Sequence, residues 1–135
     1  VTTEELEAAW SQFRRLTEAS QKLIQLTNAS RIEVRTKMFR VRTTGEEIVI
    51  NAMFATLHHP KVNGPVYVSG YGLNSFARMM EKMSVRELAT FMATIDKATS
   101  WCLDRIEGLK RAEYNARLGP SGRQVAARVA MEKMP

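Results

Sequence analysis

Cysteine is nearly absent from this chain of 135 residues. Cys102 stands alone, which excludes an intramolecular disulfide and any cysteine-rich zinc site. Histidine is almost as scarce: His58 and His59 are adjacent, so both imidazoles cannot easily face one ion, and no His-x3-His spacing supports them. No metal site is expected. The same two histidines offer no base placed for a serine nucleophile, so no catalytic residue is assigned and the chain is read as non-enzymatic. The glycine-rich stretch lacks the lysine of a phosphate-binding P-loop, and no cofactor is expected. Long apolar runs are missing as well. None approaches the ~18 to 20 residues that span a bilayer, and the first residues are acidic where a secretory signal would be basic and then apolar. A cytoplasmic chain without a membrane segment is the expectation.

What is present is ordinary for a folded domain, with 44% hydrophobic and 25% charged residues and enough length for one core. The net charge is +6, with a pI near 9.8, and it is unevenly spread. Arg31, Arg35, Lys37, Arg40 and Arg42 stand within twelve residues against the single acid Glu33.

Apolar spacing organises the rest. Val85, Leu88, Met92, Ile95, Thr99, Cys102, Ile106 and Leu109 alternate by three and four, the seam of one long amphipathic helix. Cys102 in that seam reads as a small buried thiol. Ser84 with Glu87 has capping-box spacing at the helix start, and Gly119, Pro120 and Gly122 predict its end near Arg117. Ser121 with Gln124 then opens a short last helix. At the other end, Thr2 and Glu5 predict a first helix closing near Asn28 to Ser30. Its apolar face runs through Leu6, Ala9, Trp10, Phe13, Leu16, Leu23, Ile24 and Leu26, with Trp10 and Phe13 read as core.

Between them, residues 31–42 have strand character. Ile32, Val34 and Met38 share one parity and Phe39 and Val41 the other, which predicts a bulge near Met38. Thr43 to Glu46 reads as a turn. The run EIVINAMF is ambiguous between a returning strand and a helix, and its β-branched first half favours a hairpin. Residues 58–72 read as a loop with exposed histidines, followed by a short helix from Asn74 carrying Phe76, Met80 and Met83. The expected fold is therefore mostly α, α+β in detail. A single helical domain over 1–118 carries a basic hairpin near 31–54, and 119–135 forms a short helix or arm.

Two resemblances fail on their residues. Gly70-Tyr71-Gly72 with Phe76 resembles the glycine-aromatic core of an RNA-recognition motif, but Ser69 stands where the leading basic residue belongs. Ser84 to Ile106 resembles a helix-turn-helix unit, but Ala93 replaces the turn glycine and the seam crosses the proposed turn without a phase shift. The cation row can follow a phosphate backbone, and Tyr67 and Tyr71 beside it can stack on bases. The expected function is a nucleic-acid-associated binding protein, DNA or RNA left open, acting as a homo-oligomer. The alternative is an assembly subunit of phage or mobile-element type that docks on a protein partner through its long helix.

Overall fold

The computed structural model describes residues 2–43, 46–60, 66 and 70–132, and of 70–72 and 119–132 the backbone alone. Helix α1 spans Thr3–Ser30, followed by strands β1 (Met38–Thr43), β2 (Glu46–Asn51) and β3 (Thr56–His58), helix α2 (Gly70–Glu81) and helix α3 (Val85–Glu132). The fold is mostly α, α+β in detail, as the sequence predicts.

The predicted caps at Thr2 and Ser84 form, whereas Ser121 and Gln124 lie within α3. The Glu5 N–H donates to Thr2 Oγ1 at 3.1 Å. At α3 the box is reciprocal: the Glu87 N–H donates to Ser84 Oγ at 3.1 Å and the Ser84 N–H to Glu87 Oε1 at 3.2 Å. Each bond satisfies a helix-end group that has no partner within its own helix.

The two long helices form the largest packing interface and run in the same direction. Near the start of α1, Trp10 and Phe13 meet α3 through Phe76 of α2, with ring centroids 5.0 Å (Trp10 to Phe76), 5.7 Å (Phe13 to Phe76) and 6.2 Å (Phe76 to Phe91) apart. Near its end, Leu26 and Ala29 face Leu109 and Ala112 across a small cavity. A parallel pair requires a long return connection, and the sheet and α2 are that connection.

Along α3 the seam is buried at Leu88, Ile95, Thr99, Cys102, Ile106 and Leu109, and half-buried at Met92. Phe91 and Ala98 join it, because α3 faces both α1 and the sheet and needs a wider apolar stripe than one partner would require. Val85 does not belong to it. At 69% exposure it occupies the first turn, one turn before packing begins. Met79, Met80 and Met83 are buried, filling the core around Phe76.

The sheet is an antiparallel meander ordered β1-β2-β3. Val41, Thr43, Ile48, Ile50 and Leu57 are buried, while Met38, Arg40, Arg42 and His58 point outward, the alternation of a sheet with one wet face. The ambiguous run resolves as strand through Asn51, a turn over residues 52–55, and then β3. That turn is held from both helices. The Ser20 hydroxyl of α1 donates to the Met53 carbonyl, and the Cys102 thiol of α3 donates to the Ala52 carbonyl at 3.2 Å. Ala55 closes it in the left-handed region at φ 48°.

Several boundaries differ from the sequence expectation. Residues 31–37 are not strand, so the predicted bulge disappears. The ladder ends because β2 turns away at Ala52, whose N–H makes one last bond to the Lys37 carbonyl at 3.0 Å. With no partner strand, the parity of Ile32 and Val34 has no sheet to obey. Helix α2 begins at Gly70, four residues before Asn74. The expected stop at Gly119, Pro120 and Gly122 is not taken: α3 continues to Glu132, so residues 119–132 of the segment read as a short helix or arm extend α3. Pro120 lacks the N–H that would bond to Ala116, and the helix continues past it. The unbroken α3 also removes the helix-turn-helix reading.

Candidate nucleic-acid interface

Helix α1 ends on Arg31, which adopts the left-handed region at φ 59°. This left-handed turn takes the chain off the helix axis, and residues 32–37 run beside α3 without regular secondary structure, exposed except for the half-buried Val34. Arg31, Arg35, Lys37, Arg40 and Arg42 are all exposed, so the whole basic row reaches solvent. It divides in two. Arg31, Arg35 and Lys37 lie on the irregular segment, whereas Arg40 and Arg42 lie on the outer face of β1.

Arg40 is engaged with Glu47 of β2; among the described residues no other cation of the row is in an ion pair. Lys37 stands 5.8 Å from the centroid of the Phe39 ring, a contact that leaves its charge intact. Of the two tyrosines expected beside the row, Tyr67 lies outside the described residues. Tyr71 is in the first turn of α2 rather than in a loop, and its side chain also lies outside them.

The feature that sequence reasoning missed is the opposite wall. Between residues 32–37 and α3 lies an open cleft of about 590 Å³, walled on the helix side by Trp101, Asp104, Arg105, Gly108, Leu109 and Ala112. A second cavity of about 250 Å³ continues it past Ile32, Leu109 and Ala112 to the end of α1. The Arg105 guanidinium rides 5.4 Å from the centroid of the Trp101 ring. Trp101, Arg105, Gly108 and Ala112 fall at intervals of four, three and four, one stripe beside the buried seam. That spacing is the signal that would have placed Trp101 and Arg105 beside the basic row.

Gly108 has no packing reason to be glycine, since a Cβ built there meets nothing within 4 Å. Glycine within a helix costs about 1 kcal/mol relative to alanine. What its hydrogen provides is an open cleft floor.

The other candidate groups are accounted for structurally. His58 is exposed but is the last residue of β3, and His59, outside the strand, is buried with Nε2 2.9 Å from Glu46 Oε2, which corrects the reading of both as exposed loop residues. Burial pushes the Cys102 thiol up to about 11 from 9.0, so it is held as the neutral thiol. Among the described residues no three His, Cys, Asp or Glu side chains gather as a metal-binding group, and no helix is long and apolar enough to cross a membrane. The chain matches no protein-family model, and no curated protein or solved structure is significantly similar to it.

Proposed function

We propose that the protein is a small, basic, non-enzymatic binding protein for nucleic acid that acts as an oligomer in the cytoplasm. The observation that carries this reading is the row Arg31, Arg35, Lys37, Arg40 and Arg42, five exposed cations against one acid, of which only Arg40 is in an ion pair among the described residues. Extended chain advances about 3.3 Å per residue, so Arg35 to Arg42 reaches at most ~23 Å, about seven steps of a stacked nucleic-acid strand. Guanidinium groups at that spacing suit phosphate oxygens, which they can hold by two parallel bonds.

The test is a titration of the unmodified protein with labelled single- and double-stranded oligonucleotides at ~50 mM salt, repeated as salt is raised. The reading expects binding whose log affinity falls linearly with log salt. Absence of binding to either form at low salt overturns it.

A second reading is favoured by α3 itself. From Lys110 to Leu118 every residue is exposed, with Tyr114 at 61%, and from Ala116 to Glu132 the helix continues for about 24 Å at 1.5 Å per residue. An exposed stretch of helix from Lys110 to Leu118 suits docking on a protein partner or on a second copy. The mass in solution and the identity of co-purifying material separate an assembly subunit from a nucleic-acid binder.

A further inference from the structure

We infer that the cleft between residues 32–37 and α3 is a stacking pocket for an unpaired nucleobase, so that the polymer is bound as a single strand. The inference rests on the nucleic-acid reading and adds to it a site, a strand form and a mode of contact.

Three observations converge on the cleft. It holds a half-buried aromatic, Trp101, with the planar guanidinium of Arg105 riding on it. Indole and guanidinium planes are the surfaces on which single-strand binders stack bases, because every base presents a π face. Its volume of about 590 Å³ is within the range of small-ligand pockets, while a base inside a duplex keeps both faces covered by its neighbours and cannot enter. Gly108 opens the floor at a cost in helix stability that no packing contact within 4 Å explains.

The charges give the base a direction. Arg35 and Lys37 stand on the strand wall, joined to the rest of the basic row, where phosphates would run. Glu33 and Asp104 also line the cleft. They can accept hydrogen bonds from the amino groups of a base. Arg35, Lys37 and Arg105 line the same cleft, so cations that can meet phosphates stand beside acceptors that can meet a base.

The test measures affinity for a short labelled single strand, for its duplex, and for an abasic strand with the same number of phosphates. The proteins are the unmodified chain, Trp101→Ala, Trp101→Phe and Gly108→Leu. Trp101→Ala should weaken single-strand binding about ten-fold, and up to roughly a hundred-fold, the range for one lost stacked base. Its duplex and abasic-strand affinities should stay within about two-fold of the unmodified protein. Trp101→Phe should recover most of the loss. Gly108→Leu, whose side chain enters open space, should raise the melting temperature and yet weaken single-strand binding.

In the unmodified protein, tryptophan emission should be quenched by the single strand and unchanged by the abasic one, since Trp10 sits among Phe13 and Phe76 away from the cleft. If Trp101→Ala does not fold, the quenching and Gly108→Leu decide. Single-strand binding that survives Gly108→Leu at full strength with unquenched emission overturns the pocket while leaving the nucleic-acid reading intact. Failure of the unmodified protein to bind any strand overturns both.

Discussion

Replacing Ser20 with alanine tests whether the turn between β2 and β3 is clamped to the helices. Ser20 is 1% exposed and its hydroxyl donates to the buried carbonyl of Met53. Alanine removes that donor and leaves a buried acceptor without it, which costs about 1 to 3 kcal/mol. Against this, alanine is the better helix former, by roughly 0.5 kcal/mol. The buried bond wins, and a net loss of about 1.5 kcal/mol is expected. For a chain of this length that is a fall of about 5 to 7 °C in melting temperature.

The control is Ser11→Ala, the same substitution at an exposed site of the same helix. Only the propensity term operates there, so that variant should gain stability by up to about 0.5 kcal/mol. Urea titrations followed by circular dichroism would show the two midpoints moving in opposite directions at unchanged slope. If Ser20→Ala is instead as stable as Ser11→Ala, the Met53 carbonyl is satisfied otherwise and the clamp is wrong.

Cys102 should react slowly with a thiol reagent in the native state and quickly in urea, because the reactive thiolate is scarce when burial holds the thiol up to about 11. The raised value also sets a sign: its contribution to stability is complete below 9.0, the unfolded reference, and is lost as pH rises towards 11. Urea midpoints across that window should fall more steeply for the native sequence than for Cys102→Ser; parallel slopes would contradict this. Arg31→Gly should relieve the left-handed strain at the end of α1 and stabilise the fold by about 0.5 kcal/mol, after the extra chain entropy of glycine is set against it. The same variant should bind nucleic acid more weakly, and a variant that loses stability would show that the Arg31 side chain packs where it is drawn as exposed.

What was legible in the sequence was local and periodic. The caps at Thr2 and Ser84, the apolar face of α1, the seam from Leu88 to Leu109 and the burial of Cys102 follow from spacings of three or four residues, which one helix enforces on itself. The limits came where a distant partner decides. The parity of Ile32 and Val34 indicates a strand only if something pairs with them, and β2 turns away before it can. Phe91 and Ala98 are buried because α3 meets two layers, a fact absent from its own periodicity. Gly119 and Pro120 are strong stop signals, yet α3 passes them, which no feature of the local sequence explains. Trp101 and Arg105 escaped notice because their stripe looks like an ordinary polar-apolar border. Only the path of residues 32–37, set by the left-handed Arg31, turns that border into the wall of a cleft.

The central claim is that the row from Arg31 to Arg42 contacts phosphates, and the most direct measurement is the salt dependence of single-strand affinity. The protein carrying Arg35→Gln, Lys37→Gln and Arg42→Gln is compared with one carrying Arg40→Gln and Glu47→Gln, the pair that neutralises itself within the fold. Three lost contacts at about 0.7 each should flatten the log-log slope by about 2, while the paired variant, unchanged in net charge, should keep the slope of the unmodified protein. A triple variant with an undiminished slope would contradict the account and place the phosphate contacts elsewhere on the surface.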